Sequence, residues 1–141
     1  MSDPSARITN ILLVDDDVVD VMNVKRAFAR GNIANPPWVA NDGFEGLAIL
    51  RSNRMPVERR LVLLDVNMPR MSGLEMLREL RGDPALQLTP VVMLTTSNDD
   101  RDRLEAYRLH AAGYLIKPVT FAAFVELMTA MTQYWTHVEL P

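Results

Sequence analysis

The 141-residue chain contains no cysteine, which excludes a disulfide framework, a thiolate zinc site and a cysteine nucleophile. It has no excess of positive charge either. Its 15 basic and 18 acidic side chains leave a formal charge of −3, so nucleic acid has no electrostatic case as the main partner. No run approaches the roughly 20 uncharged apolar residues of a membrane span. Residues 1–7 lack an apolar stretch of signal-peptide length, and the expectation is a soluble, cytoplasmic protein. A glycine-rich Walker sequence, a GxGxxG turn and a Gly-x-Ser-x-Gly elbow are all missing, which leaves the usual nucleotide-binding and hydrolase modes unsupported. What is present is ordinary globular composition, 48% apolar and 23% charged, in a length that suits one domain.

Four short apolar runs end abruptly in polar residues. Ile11–Val14 precedes Asp15, Asp16 and Asp17; Leu61–Leu64 precedes Asp65; Val91–Leu94 precedes Thr95, Thr96 and Ser97; Tyr114–Ile116 precedes Lys117 and Pro118. Runs without polar alternation read as strands buried on both faces, as in a parallel sheet. Trp38–Ala40 is a weaker fifth candidate. Helical spacing fills the gaps. Val18, Val21, Met22, Lys25 and Phe28 form one stripe, stopped by Gly31 and Asn32; Phe44, Leu47, Ala48 and Arg51 form a shorter one. Ser72 and Glu75 make a capping box ahead of Leu77 and Leu80, closed by Gly82, Asp83 and Pro84. Asn98–Asp100 can cap a helix carrying Leu104 and Tyr107, and Thr120 one whose stripe is Phe121, Phe124, Val125, Met128 and Trp135. The pattern predicts a doubly wound α/β domain, five parallel strands with helices on both faces. The irregular stretch Ser52–Arg60 is an arginine-rich loop (Arg54, Arg59 and Arg60, with Arg51 just before it) and reads as solvated surface.

In an open parallel sheet the C-terminal strand ends share one edge, and ligands bind where the strand order reverses. With the order 2-1-3-4-5, Asp15, Asp16 and Asp65 meet in one cleft, joined by Thr95 and Lys117. Three close carboxylates repel one another, so a positive group belongs among them, either Lys117 or a hard divalent cation. Magnesium suits an all-oxygen set; zinc does not, since only His110 and His137 could offer nitrogen and both lie on or after helices away from this edge. Each residue has a plainer reading. One of the three consecutive aspartates can simply cap the next helix, Lys117 can reach solvent, and Thr95 can satisfy backbone. All five on one edge is what favours a site.

Asp15-Asp16, the segment Asp65-Val-Asn-Met-Pro69 with Gly73, Thr95, and Lys117-Pro118 together resemble the response-regulator receiver domain. The resemblance covers about residues 8–135, leaving residues 1–7 and 136–141 as tails with no output domain expected. Asp65–Glu75, Leu94-Thr-Thr-Ser97 and Tyr134-Trp135 are further similar to the single-domain branch associated with bacterial phytochromes. The resemblance implies a flavodoxin-like fold and a phosphoacceptor, Asp65, charged by a phosphohistidine on a sensor histidine kinase of bacteriophytochrome type. It also implies a magnesium ion held by Asp16, Asp65 and the backbone carbonyl of Asn67, with Asp15 acting through water. Thr95, Lys117 and Tyr114 would form the switch, and the Lys117–Pro118 peptide would be cis, against a prior for X–Pro bonds of about 5%. Thr96, where the family often has a small residue, would crowd access to the phosphoryl group.

Two other readings stand beside this one. An aspartyl-phosphate phosphatase needs a second carboxylate two residues after its nucleophile as general acid–base, and Asn67 stands there instead. A degenerate receiver would serve only as a scaffold, which the intact acid cluster opposes. The chain is therefore read as a signalling phosphoacceptor and not an enzyme, with a phosphotransfer protein as a candidate downstream. Leu127, Met131 and Tyr134 fall off the stripe of the last helix, and Val138 and Leu140 follow it. They predict a homodimer through the face of the fourth helix, fifth strand and fifth helix, extended by the tail across a two-fold axis.

Overall fold

In chain order the elements are β1 (Asn10–Val14), α1 (Val18–Arg30), β2 (Trp38–Ala40), α2 (Gly43–Arg51), β3 (Arg60–Asp65), α3 (Gly73–Gly82), β4 (Val91–Thr95), α4 (Asp100–Arg108), β5 (Gly113–Ile116) and α5 (Phe121–His137). The structure is a computed structural model that describes residues 8–31, 33, 35–96 and 98–141. The expected N-terminal tail, Asn32 at the first helix stop and Ser97 after the fourth strand lie outside the described residues. The strands form one sheet of order β2-β1-β3-β4-β5, parallel at every pairing, as the sequence predicts.

Alternation along each central strand feeds two cores. Leu12, Val14, Val62, Leu64, Val91 and Met93 face one way, against Leu47 and Leu50 of α2, Met76, Leu77 and Leu80 of α3 and Ala106 of α4. Ile11, Leu13, Leu61, Leu63, Val92 and Leu94 face the other, against Val24 and Phe28 of α1 and Phe124, Met128 and Trp135 of α5. Every residue of β3 and β4 is buried, which is why these runs show no polar alternation. Ser72 caps α3 through the expected reciprocal pair with Glu75.

Several helix faces differ from the periodicity. α1 buries Val24, Ala27 and Phe28 and packs Val21 against the same core, whereas Val18 and Met22 are exposed. α4 buries only Ala106, and Leu104 and Tyr107 point outward. On α5, Met131 belongs to the core and Leu127, Val138 and Leu140 pack against it. The expectation that Met131 and Leu127 lack internal partners is therefore corrected: these side chains cover this chain's own core. The helix also continues two residues past the expected limit of 135. Tyr134 does stay outside, edge-on to Trp135 with centroids 5.3 Å apart.

The arginine-rich loop is likewise not plain solvated surface. Arg60 is buried and donates to the carbonyls of Pro56, Leu50 and Met55 at 2.7, 2.9 and 3.0 Å. Arg59, at φ 52°, donates to the carbonyls of Trp135 and Val138 at 2.7 and 2.8 Å and to Thr9 Oγ1 at 3.2 Å. A guanidinium carries five donors, and here most are spent on carbonyls that a helix end and a loop leave unpaired. The Lys117–Pro118 peptide is trans, since the structure has no cis bond among its described residues. That corrects the expectation taken from the family, and trans is the isomer a tertiary amide intrinsically prefers, by about 0.5–1 kcal/mol.

Candidate functional site

β1 and β3 are direct neighbours, with Val14 opposite Leu64, so the residues at their C-terminal ends leave the sheet side by side. Asp15, Asp16 and Asp65 each present a carboxylate oxygen within 4.8 Å of the others. Asp15 and Asp65 are buried and Asp16 is exposed. Asp17 does what one of the three consecutive aspartates was expected to do: it caps α1, accepting from the N–H groups of Val19 and Asp20. The Asp17 N–H in turn donates to Asp15 Oδ1 at 2.9 Å, and the Asn67 N–H reaches Asp65 Oδ1 at 3.4 Å.

The other side of the cleft comes from β4 and β5. Thr95 is fully buried at the end of β4, and its carbonyl accepts the Lys117 N–H at 2.7 Å. Lys117 Nζ lies 3.1 Å from Asp15 Oδ2 and 2.6 Å from Asp20 Oδ2, with its side chain only 8% exposed. Asp20 was missed by the sequence reading. Its signal is position alone: it falls in the first turn of the helix that follows Asp15 and Asp16. Thr96 is exposed beside Thr95, and Tyr114 is half-buried on β5 against the α2–α3–α4 core. Asn67 is exposed at the mouth of the cleft. Below Asp65, the Gly73 N–H donates to the Val66 carbonyl at 2.9 Å and ties the start of α3 to the end of β3. Arg70, at φ 66°, pairs with buried Asp42 and closes the same loop from the other side.

The cleft shifts its own titration. Burial pushes the Asp65 carboxyl up to about 6; Lys117 pulls against that, and Asp15 and Asp16 reinforce it. Asp15 is also raised, by burial first, although the Asp17 N–H and Lys117 oppose the rise. For Lys117, burial works against the charge, but the hydrogen bond to Asp20 and the charges of Asp15, Asp65 and Asp20 prevail and hold its pKa above the usual lysine value. Tyr114 is pushed up by burial and by the nearby charges of Asp102 and Asp99.

Burial is the main reason the Asp65 carboxyl is raised to about 6, with Asp15 and Asp16 adding to it, and a cation among the three would favour the ionised form. The donors at hand are all hard oxygens. His110 follows α4 and His137 ends α5, both at the opposite edge of the sheet, so neither brings nitrogen to the cleft. The set fits a hard divalent ion completed by water, of the magnesium or manganese kind. Among the described residues no helix is long and apolar enough to cross a membrane.

A doubly wound sheet with three carboxylates, a buried threonine and a lysine at its switch point defines an acidic-pocket phosphoacceptor of the signalling type. The chain belongs to the response regulator receiver domain family, whose model matches residues 11–129. It is 37% identical over 131 residues to the probable methanogenesis regulatory protein FilR2 of Methanothrix harundinacea, covering 89% of this chain and 82% of that one. It is 32% identical to the response regulator Rcp1 of Synechocystis sp., covering 100% of this chain and 99% of Rcp1. A Mn2+-bound structure of Rcp1 superimposes with a TM-score of 0.81 at 31% identity, over 94% of this chain and 99% of that one. The phosphorylated cyanobacterial phytochrome response regulator RcpA gives 0.84 at 30% identity, over 96% and 99%.

Proposed function

We propose that Asp65 takes a phosphoryl group from a phosphohistidine of a sensor histidine kinase, and that the charged domain signals by protein–protein contact. The observation that carries this reading is the confinement of Asp15, Asp16 and Asp65 within 4.8 Å, with Lys117 and Thr95 on the same edge. An Asp65 oxygen attacks phosphorus, the P–N bond breaks, and the departing imidazole keeps the electron pair and is protonated from solvent. An acyl phosphate remains on Asp65.

Asp16, Asp65 and the Asn67 carbonyl would hold Mg2+, with Asp15 acting through water. When bound, the ion neutralises phosphoryl oxygens so that an anionic nucleophile can approach an anionic group. Lys117 supplies the second counter-charge through a charge-assisted hydrogen bond. Thr95 reorients its hydroxyl to a phosphoryl oxygen, and Tyr114 moves into the space this leaves, coupling one covalent charge to the α4–β5–α5 face. Thr96 stands at the approach to the phosphoryl group and sets access of hydrolytic water.

Val18, Val19, Met22 and Val119 are exposed apolar side chains around this cleft, a surface suited to the docking kinase, which we place in the cytoplasm and in the bacteriophytochrome class. A phosphotransfer protein docking there would carry the group onward. Leu104, Tyr107, Ile116 and Tyr134 leave apolar surface on the α4, β5 and α5 elements, where a second copy would pair. Asn67 offers no ionisable proton where a phosphatase keeps its general acid, which favours signalling over turnover. Acetyl phosphate with Mg2+ should place one base-labile phosphoryl group on the wild type and none on Asp65→Asn. Undiminished labelling of that variant overturns the assignment. Sedimentation with and without a phosphoryl mimic tests the dimer, and a strictly monomeric species in both states rules it out.

A further inference from the structure

Lys117 has more counter-charge than the phosphoryl chemistry requires. Its ammonium is held by Asp15 at 3.1 Å and, more closely, by Asp20 at 2.6 Å. Among the described residues no ion pair joins it to Asp65, although the two charges do influence each other. The Asp20 side chain belongs neither to the carboxylate trio nor to the cap of α1. Asp20 sits in the first turn of the helix, with its side chain 28% exposed. Together with Asn23, Thr96, Lys117 and Pro118 it lines an open groove between α1 and the segment that follows β5. The ammonium is therefore drawn toward α1 and has open space beside it.

We propose that Asp20 is a positioning residue that acts through Lys117: it is the resting counter-ion that the phosphoryl group must displace. The inference rests on the reading of Asp65 as phosphoacceptor. A phosphoryl group brings about −1.5 to −2 charge and competes for the same ammonium. Every contact Lys117 keeps with Asp20 in the resting state is one it gives up, in whole or part, when it turns to the phosphoryl oxygens. Asp20 thereby stabilises the resting arrangement relative to the charged one and weakens the hold of the pocket on a phosphoryl group. Removing its charge does not strand Lys117, because Asp15 remains at hydrogen-bond distance. The expected consequence is a gain, not the loss that ordinary damage to a site produces.

Fluoroberyllate with Mg2+, a phosphoryl mimic, would be titrated into the intact wild type, Asp20→Asn, Asp20→Ala and Asp20→Glu, with thermal unfolding as the check on folding. Asp20→Asn and Asp20→Ala should bind the mimic more tightly, on the order of fivefold for a partly exposed ion pair, and Asp20→Glu should stay near wild type. The acyl phosphate on Asp65 should outlive that of wild type by a similar factor in the first two. In a Lys117→Ala background the Asp20→Asn substitution should change nothing, because the effect runs through the ammonium. Unchanged or weaker binding by both neutral variants overturns the proposal, as does a gain that survives in the Lys117→Ala background. If Asp65→Asn binds the mimic as well as wild type does, the phosphoacceptor reading itself fails. The two failures are thus distinct.

Discussion

A Cβ built on Gly73 would overlap the carbonyl oxygen of Asp65 and stand 3.0 Å from its carbonyl carbon. The first residue of α3 therefore presses on the backbone of the phosphoacceptor, and only a hydrogen fits between them. Backbone cannot swing aside as a side chain can. Gly73→Ala should cost roughly 1–3 kcal/mol through overpacking and slow labelling by acetyl phosphate by displacing Asp65. Equal unfolding midpoints and equal labelling rates would show that the loop yields freely.

Acidity offers a second measurement. Asp65 titrates near 6 in the folded, metal-free chain against an ordinary value of 3.8, so the folded state binds its proton more tightly than the unfolded one. Its contribution is fully present below the unfolded value and is lost as pH rises through the folded one, so stability falls between about pH 4 and pH 6. The loss amounts to about 3 kcal/mol, and Asp15, also raised, works in the same direction. Denaturant titrations in EDTA should show this decline in wild type and a shallower one in Asp65→Asn. Parallel curves would contradict it.

Cation binding should separate the two neighbouring aspartates. Asp16 is exposed at the cleft, whereas Asp15 is buried and already engaged by Lys117 and the Asp17 N–H. Asp16→Asn should weaken Mg2+ binding by the larger factor and leave folding nearly untouched. Asp15→Asn should lose less affinity but disturb Lys117. Calorimetric titration checks the order, and equal Mg2+ affinities for wild type and Asp16→Asn would refute it.

Arg60 is the place to test the loop. Arg60→Met fills similar volume but leaves the carbonyls of Pro56, Leu50 and Met55 without their donor. The expected cost is about 2–4 kcal/mol in unfolding free energy, with Mg2+ affinity unchanged because Arg60 begins the strand that Asp65 ends. A variant as stable as wild type would mean that water replaces the guanidinium.

What could be read from the sequence depended on whether a residue's role was local. Asp15, Asp65, Thr95 and Lys117 each follow or end an apolar strand, so period and polarity placed them on one edge, although β5, expected to be buried on both faces, is only half-buried and leaves Ile116 exposed. Strand order supplied the rest. Asp20 was illegible because an acid inside a helix looks like solvated surface, and only the arrival of Lys117 from β5 gives it a partner. Arg59 and Arg60 were hidden for a related reason: a buried guanidinium is tolerated by carbonyls that loops and helix ends present, and no spacing rule announces those. The inward faces of α1 and α4 misled because periodicity shows that a helix is amphipathic without saying which part of its apolar stripe is covered. Val21 packs against the core while Val18 and Met22, on the same stripe, are exposed.

Arg59 grips α5 at its far end, through the Trp135 and Val138 carbonyls, while the near end of the helix begins four residues after Lys117. A 17-residue helix is a rod of about 25 Å. With one end moored to Thr9 and the loop before β3, sliding the rod along its axis would break those hydrogen bonds. Pivoting about that end would spare them, and a small shift beside the acid cluster would then be delivered as a change of angle across a whole outer face.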